Sequence, residues 1–253
     1  MKVLISGICG HMGRELCSLI RSGKGDIELS CGVDCVGAEK GGSDASVKVF
    51  GAFDDVDIPF DVIIDFSHHS ATQNLLRFAT DRKKGLVIAT TGQTDEEKAL
   101  IYSASSTLPV FFASNYSIGV ATLIKMAKTA VRAMPEADIE IVEAHHNRKL
   151  DAPSGTALSI FEAVKSVRND SVMKCGRSGQ CKRTENEVGI HSLRMANVAG
   201  RHEIHLTTDS EELVIKHEAF SRGVFAKGAL DAALFLKDKP AGLYGMEDLL
   251  GDK

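Results

Sequence analysis

The strongest constraint on the fold is the order in which strand-like apolar runs and helix signals alternate through the first 115 residues. Residues 3–6 form a short apolar strand, a glycine-rich turn follows, and a helix is predicted from about residue 12 to 21. Residues 27–33 read as a second strand, 62–64 as a buried one, and 86–89 and 109–113 as two more. Between them, Ser70-Ala71-Thr72-Gln73 and Thr94-Asp95-Glu96-Glu97 have the capping-box form that opens a helix, the second extending to about Ser103. Strands covered on both faces read as near-continuous apolar runs, so this order predicts α/β architecture with a parallel sheet between helical layers. The polar, Gly-rich stretch 34–53 is expected to be a loop or irregular excursion.

Beyond Val120 the character changes in two steps. Leu123, Ile124, Ala127, Val131 and Met134 follow helical spacing, with Lys125, Lys128 and Arg132 on the other side. Residues 139–144 alternate as a strand, and Ala157, Ile160, Phe161 and Val164 mark another amphipathic helix. Residues 168–188 are polar and read as an exposed loop. Strand-like runs at 189–195, 203–208 and 213–217 then follow with no helix between them, which predicts an antiparallel or mixed sheet. Residues 222–236 are helical again.

Composition removes several classes. With 43% hydrophobic and 25% charged residues and a net charge of −4, the chain is too apolar and too balanced to stay disordered. The longest apolar run is five residues (232–236), so no membrane span is expected, and a strand beginning directly after Lys2 leaves no leader segment in this reading. No basic block marks a nucleic-acid partner. Cys9, Cys17, Cys31, Cys35, Cys175 and Cys181 include no C-x-x-C pair, so they read as reduced thiols of a cytoplasmic protein, with no metal site.

Two segments carry chemistry. Gly7-Ile8-Cys9-Gly10-His11-Met12-Gly13 lies between the first strand and the first helix, where glycines permit a tight turn and a pyrophosphate can rest on free N–H groups. Cys9 stands where a G-x-G-x-x-G loop has its middle glycine. Asp34, at the end of the second strand, is placed to accept from adenine-ribose hydroxyls. Its carboxylate disfavours a 2′-phosphate, and Cys35 to Ala38 offer no arginine; His11 or Lys40 could compensate. NADH is therefore the favoured cofactor and NADPH the alternative.

The second segment, Glu143 to Leu158 (EAHHNRKLDAPSGTAL), leaves a strand with two histidines and enters a helix at Ser154-Gly155-Thr156. Exposed N–H groups and hydroxyls there favour a carboxylate or phosphate, next to an imidazole that exchanges protons near neutral pH and a fixed ammonium. Another Rossmann dehydrogenase, or a non-catalytic dinucleotide-responsive module, shares the glycine loop but does not require this segment.

The segment resembles the E-x-H-H-x-x-K-x-D-A-P-S-G-T-A signature of the 4-hydroxy-tetrahydrodipicolinate reductase (dihydrodipicolinate reductase) family. GICGHMG resembles that family's G-x-x-G-x-M-G loop, and IDFS, ATTG, ASNYSIGV and SRGVFAKGAL match further along, so the likeness runs from Met1 to about Leu250. In RMANVAGRH (Arg194 to His202), Ala196 replaces a glycine, and His69 stands where a proline is common.

The resemblance implies a Rossmann-like dinucleotide-binding domain at 1–115, a mixed α/β substrate and tetramerisation domain at 116–220, and a segment 221–253 returning to the first. It implies NAD(P)H-dependent reduction of (2S,4S)-4-hydroxy-2,3,4,5-tetrahydrodipicolinate, a cyclic dicarboxylate, in lysine and diaminopimelate synthesis by a homotetramer. Gly7, Ile8, Cys9, Gly10, His11, Met12, Gly13, Asp34, Phe66, Thr90, Gly92, Ala113, Ser114, Asn115 and Tyr116 are implied at the cofactor. His146, Ser154, Gly155 and Thr156 are implied at the substrate, with His145 as proton donor and Lys149 as alternative donor or charge stabiliser.

Overall fold

The computed structural model describes residues 1–23, 26–35 and 47–251. Lys40 and most of the 34–53 stretch expected to be irregular lie outside them, and in the described remainder Val49–Phe50 is a short strand rather than loop, paired with Gly32 and Val33. The chain divides into two compact units, Met1–Ser117 with Arg222–Lys253, and Ile118–Ser221.

The first unit is built on a parallel sheet of seven strands: β1 (Lys2–Ser6), β2 (Glu28–Val33), β3 (Val49–Phe50), β4 (Val62–Asp65), β5 (Gly85–Ile88), β6 (Pro109–Phe112) and β12 (Gly242–Tyr244). Their order is β12-β6-β5-β4-β1-β2-β3. Alternate residues of each strand enter two separate cores. Leu4, Ile63, Leu86, Ile88 and Val110 pack with Leu75 and Phe78 of α2 (Thr72–Arg82) and Ile101 of α3 (Asp95–Ala104). Val3, Ile5, Val62, Ile64, Val87 and Phe111 pack with Leu16 of α1 (His11–Arg21) and Ala226, Ala229 and Ala232 of α6 (Gly223–Leu236). Both faces are thus apolar, which is why these strands lack a polar alternation.

Thr94 forms the expected capping box, its hydroxyl accepting from Glu97 N–H while the Glu97 carboxylate accepts from Thr94 N–H. The box expected at Ser70 does not form. His69–Ala71 make a 3₁₀ turn, the His68 ring accepts from Ser70 N–H, and α2 starts one residue later with Ala71 as an uncapped N-cap.

The second unit holds a five-stranded mixed sheet ordered β11-β10-β7-β9-β8, from β7 (Asp138–His145), β8 (Val172–Cys175), β9 (Glu187–Arg194), β10 (Gly200–Thr207) and β11 (Glu212–Ala219). β7, β8 and β9 run parallel, and β10 is antiparallel to both its neighbours. Helices α4 (Ile118–Ala133) and α5 (Gly155–Lys165) bury Leu123, Val131, Ile160 and Phe161 against Ile139, Ile141, Ile190 and Ile204. β8 falls inside the stretch expected to be a loop. All four of its residues are exposed on a sheet edge, so no apolar pattern marks it. The short α7 (Met246–Leu249) closes the described chain. Among the described residues, no helix is long and apolar enough to cross a membrane.

Candidate active site

In the first unit, the implied cofactor residues cluster where parallel strands end. Gly7 follows β1, Asp34 follows β2, Phe66 follows β4, Thr90 and Gly92 follow β5, and Ala113 to Tyr116 follow β6. Ligands of open parallel sheets bind at this carboxyl edge, where the strand order reverses direction, here around β1 and β4.

The glycine loop is sterically constrained. Gly7 has φ +77°, and a Cβ there would lie 2.5 Å from the Phe66 carbonyl oxygen. A Cβ on Gly13 would lie 2.4 Å from the Gly7 carbonyl oxygen, so β1 and α1 approach closely only because both are glycine. At Cys9 the backbone N–H donates to Asp34 Oδ2 at 3.0 Å. α1 begins at N-cap Gly10 with no side-chain cap, which leaves its first N–H groups to an anion. His11 is exposed and Met12 half-buried at that start. Gly7, Gly10, Asp34 and Phe66 share a cleft of about 510 Å³. The close glycine turn, the uncapped N–H groups at the start of α1 and the carboxylate at the end of β2 together fit a dinucleotide.

The side chains of Ile8 and Tyr116 are buried in the core. Ile8 is 6% exposed, and Tyr116 is 2% exposed, its hydroxyl donating to the Ile88 carbonyl at 2.7 Å. Tyr116 props the turn after β6 from inside, while Ser114 is exposed and Asn115 Oδ1 accepts from Ser117 N–H. Gly92 has φ +89° and is exposed, and Thr90 is buried. His69, in the place of the common proline, bonds through Nδ1 to the Glu97 carboxylate at 3.0 Å and so ties the turn before α2 to the start of α3.

In the second unit, β7 sets the chemistry through its period of two. Ile139 and Ile141 point into the core, and the same face continues as Glu143 and His145. The register sets His202 of β10 opposite Glu143, and Arg194 of β9 beside His145. Glu143 is fully buried. Its Oε2 accepts from His145 Nδ1 at 2.6 Å, its two oxygens accept from the Arg194 guanidinium at 2.9 Å each, and Oε1 also accepts from Ser154 N–H at 3.1 Å. Burial alone raises a carboxyl pKa, but the hydrogen bonds from His145 and Arg194 outweigh it and hold Glu143 at about 2. The ionised carboxylate accepts only, so the Nδ1 proton sits on His145 and Nε2 is the exchanging atom. Gly200 keeps space at that atom, since a Cβ there would lie 3.3 Å from Nε2.

His202 packs edge-on to His145 with ring centroids 5.1 Å apart. Burial, reinforced by the charge of His145, pushes it down to about 3, so it is neutral near pH 7. Its Nε2 lies 3.0 Å from Ser154 Oγ, which also accepts from Ala157 N–H as the α5 cap. Ser154, 1% exposed, therefore supports the helix start from within. Gly155 is exposed with open space around its Cα, and Thr156 is half-buried beside it. His146 leaves β7 and its carbonyl accepts from Lys149 N–H, and Lys149 Nζ pairs with Asp151 at 2.8 Å. Sequence reasoning assigned no role to Glu143, Arg194, Gly200 or His202. The legible signal was a glutamate in phase with the buried isoleucines of β7.

Family models for dihydrodipicolinate reductase match both parts of the chain, the N-terminal model over residues 1–116 and the C-terminal model over 119–250. The chain belongs to the dihydrodipicolinate reductase family. It is 39% identical to 4-hydroxy-tetrahydrodipicolinate reductase of Alkaliphilus oremlandii (strain OhILAs), across 99% of this chain and 98% of that protein. Against the same enzyme of Campylobacter concisus (strain 13826) the identity is 40%, again over 99% and 98%. A dipicolinate-bound dihydrodipicolinate reductase from Paenisporosarcina sp. TG-14 superposes with a TM-score of 0.81 at 26% identity, over 98% of each chain. The reductase family assignment makes this chain an oxidoreductase with a nicotinamide dinucleotide cofactor and a small-molecule substrate.

Proposed function

We propose that this member of the reductase family acts in the cytoplasm, as a homotetramer, on (2S,4S)-4-hydroxy-2,3,4,5-tetrahydrodipicolinate, which loses its 4-hydroxyl as water to give dihydrodipicolinate and is then reduced to 2,3,4,5-tetrahydrodipicolinate. The observation that carries the reading is the Glu143–His145 pair beside the open start of α5. The bound dinucleotide supplies the reducing hydride. NADH is the preferred form, because Asp34 at the end of β2 repels a 2′-phosphate.

The remaining work falls to side chains. Reduction pushes electron density toward the substrate's ring nitrogen and leaves an enamine; His145 delivers the proton that this enamine takes up, from Nε2, while Glu143 holds Nδ1 and stabilises the charged ring. Lys149 offers an ammonium to the developing charge or to a carboxylate. His146, the Gly155 N–H and the Thr156 hydroxyl and N–H receive the dicarboxylate, with Ser154 holding the helix start in place. In the first unit, the glycine loop from Gly7 to Gly13 carries the pyrophosphate.

A coupled assay with the preceding synthase tests this reading. Loss of NADH absorbance that starts only when the synthase product forms, and that pyridine-2,6-dicarboxylate inhibits competitively, is the expected outcome. Turnover without the synthase product, or none with it, contradicts the reading.

A further inference from the structure

The cofactor cleft contains a cation that the linear sequence places far from Asp34. Arg77 lies on α2, one turn beyond Asn74, and both line the same cleft as Gly10, Asp34 and Cys35. Among the described lining residues Arg77 is the only permanent cation. It is held by Asp54, with Nη2 2.9 Å from each carboxylate oxygen. Packing brings the two positions together: Phe53, beside Asp54, stacks on Phe78, beside Arg77, with ring centroids 5.3 Å apart. Both charged side chains are more than half exposed, so their attraction is screened and easily exchanged for a stronger anion.

We propose that Arg77 is a selectivity residue of the cofactor cleft, turning from Asp54 to a phosphate on the adenosine ribose when the incoming dinucleotide carries one. The proposal rests on reading this cleft as the dinucleotide site. A guanidinium binds a phosphate through parallel N–H donors, and the more highly charged phosphate outcompetes a singly charged, exposed carboxylate for it. Asp34 supports NADH at the ribose hydroxyls, and Arg77 gives the same cleft a counter-charge for NADPH. Asp54 keeps Arg77 neutralised when NADH is bound, so one cleft takes both cofactors.

Equilibrium titration of the full chain with NADH and with NADPH, followed by ligand fluorescence without substrate, tests the proposal. Arg77→Gln is expected to weaken NADPH about tenfold while leaving NADH within about twofold. Asp54→Asn is expected to tighten NADPH about threefold, since it frees the guanidinium and removes a like charge. NADPH affinity unchanged in Arg77→Gln, or equal losses for both dinucleotides, overturns the proposal. A wild-type chain that binds neither dinucleotide overturns the reading of the cleft itself, and the proposal with it.

Discussion

Glu143 Oε2 and His145 Nδ1 lie 2.6 Å apart on one face of β7, and the Arg194 guanidinium closes on the same carboxylate from β9. The carboxylate fixes the imidazole's tautomer, and the guanidinium keeps that carboxylate ionised. Glu143→Gln retains the shape and removes the charge. Its turnover is expected to fall about 100-fold with little change in substrate KM, because the interaction lost strengthens as His145 charges. Steady-state kinetics over a pH series checks this. Arg194→Lys is expected to retain more turnover than Arg194→Met, since it keeps a counter-charge beside the buried Glu143 carboxylate.

Acid lability follows from the same cluster. His202 binds its proton at about 3 in the folded chain and near 6.5 when unfolded, and Glu143 at about 2 against 4.5. Between each pair of values the unfolded chain holds more protons, so both groups cost stability as pH falls. The His202 contribution is lost from about pH 6.5 down to 3, and the Glu143 contribution from about 4.5 down to 2. Each is on the order of 3–5 kcal/mol. Urea unfolding from pH 7 to 4 measures the slope, and His202→Asn is expected to flatten its upper part.

The fold was legible wherever burial imposed a period. β1, β4, β5 and β6 are apolar on both faces, and α4 and α5 carry one apolar stripe each. β3, β8 and β12 were not legible, because β8 is exposed throughout and the other two are two and three residues long at the sheet edges. At the site, Gly7 to Gly13 and His145 to Thr156 are contiguous and stood out. Arg194, Gly200 and His202 reach Glu143 and His145 only through strand pairing, and Arg77 reaches the cleft only through packing of α2, so no local pattern announces them.

Ala196 occupies the turn after β9 with φ +37°, a conformation that favours glycine, and its carbonyl accepts from Asn147 N–H. Relief of left-handed strain of about 1–2 kcal/mol outweighs the added freedom of the unfolded chain, about 0.4–1 kcal/mol. Ala196→Gly is therefore expected to stabilise the chain by about 0.5–1 kcal/mol. Denaturant midpoints of the two proteins decide it.

Gly228 of α6 opposes the Tyr116 backbone, and a Cβ there would lie 1.6 Å from the Tyr116 carbonyl oxygen. Backbone cannot yield as a flexible side chain does. Gly228→Ala is expected to cost about 1–3 kcal/mol despite alanine's better helix propensity, measured by chemical unfolding. It also shifts the turn after β6, so NADH binding is expected to weaken in the same variant.

The most direct test is His145→Gln in the coupled assay, paired with equilibrium binding of pyridine-2,6-dicarboxylate. Turnover is expected to fall at least about 100-fold with dicarboxylate affinity within about threefold of the wild type, since Nε2 moves the proton and the start of α5 holds the anion. Wild-type turnover in this variant, or a loss confined to dicarboxylate affinity, would contradict the proton-donor role of His145.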